Sequence, residues 1–85
     1  MSKFTFSETA WEEYIYWQTQ DKKTLRRINQ LLKDIERNGN DGLGKAEPLK
    51  YRDGWSKRID DCNRLVYEIN GDTIEIIQCK GHYGD

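Results

Sequence analysis

Glu47, Lys50, Lys57, Arg58, Arg64, His82 and Tyr83 are the residues of this chain whose types could do chemistry together. They comprise one carboxylate, one imidazole, several cations and an aromatic. That set is the minimal kit for cleaving a phosphodiester by an internal hydroxyl. A carboxylate can take the proton from a ribose 2′-OH, and an imidazolium can give one to the leaving 5′-oxygen. Guanidinium and ammonium groups can hold the charge on the phosphoryl oxygens. An aromatic such as Tyr83 can stack on an unpaired base. Taken singly, each residue has a plainer reading. Glu47 reads as a solvated loop carboxylate, Arg64 as a turn-edge cation and His82 as part of a tail.

Such a kit works only if the fold brings it together. Lys3 to Phe6 alternates, with Phe4 and Phe6 on one side, and reads as a strand. Ser7 caps a helix running to about Gln18, with Glu8, Glu12 and Glu13 toward its positive end. Trp11, Tyr14 and Ile15 form its expected apolar face. Tyr16 and Trp17 point away, toward another part of the domain or toward a partner. Asp21 caps a second helix that stops at Asn38-Gly39. Its apolar stripe is Leu25, Ile28, Leu31, Leu32 and Ile35. Lys22, Lys23, Arg26, Lys33 and Arg37 share another face, which is either simply solvated or a phosphate-facing docking surface.

From Gly39 to Gly54 the chain reads as a loop, with four of the seven glycines and the single proline. Strands follow at Trp55–Ile59, Arg64–Ile69 and Thr73–Cys79. The turn Asp60–Asn63 joins the first two, and Asn70-Gly71 marks a tight hairpin between the others. The expected fold class is α+β: two N-terminal helices packed on a four-stranded, mostly antiparallel sheet, with the apolar last strand central.

With 85 residues, one domain is expected. Its net charge of -1 argues against gripping free nucleic acid by bulk charge. No apolar run is long enough to span a membrane. The first residues lack the apolar core of a signal peptide, so a cytoplasmic location is expected. Cys62, Cys79 and His82 offer only three metal ligands, and they are not closely paired, so neither a metal nor a cofactor is expected.

Six ordered blocks then show a resemblance covering nearly the whole chain. They are W-E-E-Y-I-Y-W, K-x-x-x-R-I-N-x-L-I/L-K-D, G-K-A-E-P-L-K, G-W-S-K-R-I, N-R-L-V-Y and C-K-G-H-Y. The chain resembles the YoeB-type toxins of the RelE superfamily in bacterial toxin–antitoxin systems. The resemblance implies a metal-independent mRNA interferase that enters the A site of the 70S ribosome and cuts mRNA by 2′-OH attack. The products are a 2′,3′-cyclic phosphate, or its 3′-phosphate hydrolysis product, and a 5′-OH fragment. It implies Glu47 as general base, His82 as general acid, Arg64 as transition-state clamp and Tyr83 as the base-positioning aromatic. Lys50 and Arg58 would be supporting cations. It also implies a YefM-like antitoxin as partner, and homodimers occur among such toxins. Tyr51, Gly81 and the Gly84-Asp85 extension depart from the family pattern, which bears on rate and codon preference. The competing reading is a ParE-like toxin that acts by binding a protein, without catalysis. An inert regulatory module and a ribonuclease of free RNA rank lower.

Overall fold

The computed structural model describes residues 3–82. Strand β1 (Lys3–Phe6) leads into helix α1 (Glu8–Gln20) and helix α2 (Lys22–Asn38). A short 3-10 turn (Gly39–Asp41) precedes β2 (Glu47–Pro48), β3 (Trp55–Arg58), β4 (Arg64–Asn70) and β5 (Thr73–Gln78). The strands form one sheet in the order β1-β5-β4-β3-β2. β1 runs parallel to β5, and the other pairs are antiparallel.

Both helix starts follow from their capping residues. The Ser7 side chain accepts from the Ala10 N–H at 3.0 Å and donates to the Ile77 carbonyl at 2.8 Å, so the cap also ties α1 to the sheet. The Asp21 carboxylate accepts from the N–H groups of Lys23 and Thr24 and from the Thr24 hydroxyl. Those bonds favour its charged form, and they hold its pKa below the usual carboxylate value. Gly39 ends α2 at a φ of 60°, and Gly71 turns the β4–β5 hairpin at 61°, positions that suit a residue without a Cβ.

The core lies between the helices and one face of the sheet. α2 contributes Ile28, Leu31 and Ile35, and the sheet contributes Leu65, Tyr67, Ile74 and Ile76. This is the expected stripe of α2. The α1 face differs from expectation. Ala10 and Trp17 are its buried residues, whereas Trp11 and Ile15 are 52% and 41% exposed. The small Ala10 lets the helix axis approach the sheet closely, and that selects the 10/17 face over the bulkier one beside it. Trp11 instead packs with Phe6 and Tyr14 in an aromatic cluster near β1.

The sheet has five strands, where four were expected. The additional one, β2, is two residues long and sits at an edge, where Pro48 loses no ladder bond that a central strand would need. β5 is interior, between β1 and β4, but β4 occupies the middle of the sheet. The β4–β5 register shifts between Val66 and Tyr67, which pair with Gln78 and Ile76. The extra residue, Ile77, is the one whose carbonyl takes the Ser7 bond. Among the described residues no helix is long and apolar enough to cross a membrane.

Candidate active site

Residues directly opposite in an antiparallel pair share a face. Glu47 stands opposite Ser56, and Arg58 opposite Arg64. Lys57 stands opposite Leu65, and Trp55 opposite Tyr67. Leu65 and Tyr67 belong to the core under the helices, so Glu47, Ser56, Arg58 and Arg64 occupy the helix-free face.

Arg64 is the hub of that face. Its Nη2 donates to Glu47 Oε1 at 2.7 Å, and its Nε donates to Ser56 Oγ at 3.0 Å. These bonds use part of a five-donor fork. The Arg64 side chain is 20% exposed and the Glu47 side chain 57%. A half-sheltered, aimed guanidinium next to an open carboxylate can hold a phosphoryl group beside a base.

The histidine is delivered by the backbone. The Arg64 N–H donates to the Gly81 carbonyl at 3.0 Å. The Gly81 N–H donates to Asn63 Oδ1 at 2.8 Å, and the Asn63 amide donates to the Asp60 carboxylate. His82, exposed, therefore follows a residue strapped to the backbone that carries the hub arginine. Tyr83 lies outside the described residues.

The cations divide. Lys50 is exposed in the β2–β3 connection, where the Leu49 N–H donates to the Gly54 carbonyl. Arg58 is exposed and paired with Asp61. Lys57, expected among the phosphate-binding residues, does not belong to the site. It is fully buried on the opposite face. Its Nζ donates to the carbonyls of Leu43 at 2.8 Å and Gly39 at 3.3 Å and lies 3.7 Å from Asp34. Its work is structural, pinning the segment that leads into β2 and Glu47. The alternation of β3 held this distinction already: neighbouring Lys57 and Arg58 point to opposite faces.

Ser56, Asn63 and Asp60 were not among the candidates. Ser56 was findable from the same alternation, two residues from Arg58. Asn63 and Asp60 read simply as turn residues, and nothing local marks their grip on the tail. Lys22, Lys23, Arg26, Lys33 and Arg37 of α2 are all exposed. Cys62 is exposed and Cys79 buried. Among the described residues no three of His, Cys, Asp and Glu converge as metal ligands.

The fold is shared with proteins as distant in sequence as YafQ of Escherichia coli, whose H87Q mutant aligns over 96% of this chain and 94% of its own at 13% identity and a TM-score of 0.77. Much nearer is the YoeB dimer of Staphylococcus aureus, with a TM-score of 0.90 at 46% identity, covering 96% of this chain and 98% of that one. The Staphylococcus aureus YoeB–YefM complex aligns at 0.88 and 44% identity over 98% and 99%. Toxin YoeB of Escherichia coli K12 is 43% identical over 95% of this chain and 99% of its own. Residues 6–83 match the YoeB-like toxin of bacterial type II toxin–antitoxin systems, and the chain belongs to that family.

Proposed function

We propose that this toxin is a ribosome-dependent endoribonuclease that cuts mRNA in the A site and so stops translation. The observation that carries this reading is the junction at Arg64. Its guanidinium holds the Glu47 carboxylate, and its backbone N–H holds the carbonyl of Gly81, immediately before His82. The carboxylate read as base and the backbone just before the residue read as acid are thus both tied to Arg64.

In the reaction, Glu47 takes the 2′-OH proton and the freed oxygen attacks the adjacent phosphorus. Arg64 turns its remaining donors to the phosphoryl oxygens, with Lys50 and Arg58 adding positive potential. His82 protonates the departing 5′-oxygen. Tyr83 stacks on the neighbouring base. The nucleophile comes from the substrate, so the step needs no metal-bound water. A net charge of -1 leaves little general attraction for RNA, and the exposed basic face of α2 supplies a local one toward ribosomal RNA.

A YefM-like antitoxin is the partner that would silence the site, as the complex of the Staphylococcus aureus relative suggests. Self-association is expected by analogy with the dimer of the same relative. The rival reading is a ParE-like toxin that binds a protein target without catalysis. Primer extension on mRNA after adding this protein, with and without ribosomes, decides between them. New 5′ ends only with ribosomes support the nuclease. No cleavage in either case, with growth still arrested, supports the rival.

A further inference from the structure

Cys79 follows the last residue of β5 and stands three residues before His82. A backbone beyond the end of a strand has no ladder to satisfy it. Here both polar groups of Cys79 are taken by side chains of α1. The Cys79 N–H donates to Glu13 Oε1 at 2.8 Å, and the Cys79 carbonyl accepts from Trp17 Nε1 at 3.0 Å. The Cys79 Sγ also lies 3.7 Å from the Ala10 carbonyl oxygen. Ala10, Glu13 and Trp17 recur at spacings of three and four, on one side of the helix. Cys79 itself is fully buried.

Two residues on, Gly81 is held by Asn63 and by the Arg64 N–H. Between them Lys80 lies over the Tyr16 ring at 4.3 Å. The segment before His82 is therefore gripped from α1 on one side and from β4 and its turn on the other.

Glu13 is an unexpected residue for this task. Burial raises its pKa, against the pull of the Cys79 and Lys80 backbone N–H groups and the Lys80 charge. Its charged form is thus disfavoured where it stands. A carboxylate kept at an energetic disadvantage to hold the backbone at Cys79 serves placement better than it serves stability.

We propose that Glu13 and Trp17 are positioning residues, which act through the Cys79 backbone to set where His82 stands against Glu47 and Arg64. The proposal rests on the ribonuclease reading for its kinetic consequence, but its structural consequence can be read independently. Proton donation in flight demands tight placement, and misplacement by about 1 Å can cost on the order of 100-fold.

The test uses three variants of the full chain. Glu13→Met keeps the length of the side chain but offers no acceptor. Glu13→Gln keeps an acceptor oxygen. Trp17→Phe removes the N–H donor and keeps an aromatic ring. Single-turnover cleavage on programmed ribosomes should fall about 10- to 100-fold for Glu13→Met and Trp17→Phe, with the ribosome concentration for half-maximal rate unchanged. Glu13→Gln should restore most of the rate. His82 is the sole histidine, so its ring NMR signals need no sorting from others. They should shift or broaden in Glu13→Met and Trp17→Phe and return toward wild type in Glu13→Gln. Wild-type rates and unmoved His82 signals in folded Glu13→Met and Trp17→Phe would overturn the proposal. A Glu13→Gln variant as impaired as Glu13→Met would also overturn it, because the acceptor would then not be the working feature. If the wild-type protein cleaves nothing, the ribonuclease reading falls instead. The clamp is then judged on the His82 signals alone, displaced in its favour and unmoved against it.

Discussion

Glu47 and His82 are both exposed, so replacing either should leave the fold intact while disabling the chemistry. Glu47→Gln and His82→Gln should each slow single-turnover cleavage by about 10²–10⁴-fold, with melting temperatures near wild type. Near-normal rates for both would remove them from the mechanism. Arg64→Lys keeps the charge but loses the fork. One ammonium cannot reproduce both the Nε bond to Ser56 and the Nη2 bond to Glu47 while also facing a phosphoryl group. Its rate should drop at least about tenfold, and a wild-type rate would mean that Arg64 supplies only a diffuse field. Lys57→Met, on the other face, is expected to cost stability. It leaves the Gly39 and Leu43 carbonyls without their donor, a loss of about 1–3 kcal/mol in chemical denaturation.

Glu13 gives a pH signature of its own. Its folded pKa is raised, so the folded chain holds that proton more tightly than the unfolded chain does. The resulting stabilisation is present in acid, below the ordinary carboxylate pKa, and is lost as pH rises through the raised value. Glu13→Gln is neutral throughout. It should melt above wild type at neutral pH, and the gap should close in acid. A gap that widens in acid would contradict the assignment.

Among the elements, α2 has two contrasting faces. One packs Ile28, Leu31 and Ile35 into the core, and the other exposes Lys22, Lys23, Arg26, Lys33 and Arg37. A variant with Lys22, Lys23 and Arg26 changed to glutamate should bind ribosomes weakly, with a shallower salt dependence. Cleavage should be slow at limiting ribosomes and recover at saturation, because the residues proposed to do the chemistry lie away from α2. Unchanged affinity and salt slope would mean that the face is only solvated. The start of α2 depends on Asp21, whose depressed pKa arises first from the Thr24 hydroxyl and then from the Thr24 N–H. The cap therefore stabilises at neutral pH and fails as pH falls through that depressed value. Asp21→Ala should melt below wild type at neutral pH and converge with it in strong acid.

Taken whole, the molecule was legible where its determinants are local. Ser7, Asp21 and the α2 stripe each act within a few residues and lie where expected, and the hairpin turn falls one residue on, at Gly71-Asp72, with Asn70 paired to Thr73. β2 was not legible, because two residues ending in proline carry no strand pattern. The face of α1 was misjudged because its largest apolar residues drew the reading, while close approach to the sheet favours small Ala10. Lys57 was grouped with the site by its charge, although alternation along β3 put it on the core side. The clamp on Cys79 joins side chains to backbone 62 and 66 residues apart, and no short-range pattern encodes such a bond.

The parallel pairing of β1 with β5 has a consequence in time. A polypeptide is made from its N-terminus, so α1 and α2 can form while the remainder is still being added. Yet β1 pairs with Thr73–Gln78, which is made after every other described strand, and His82 comes later still. The β1–β5 edge of the sheet can therefore close only after β2, β3 and β4 have been made, and His82, proposed here as the general acid, is placed later than all of them. On the ribonuclease reading proposed here, a toxin assembled in this order would not be armed while its strands are still being made.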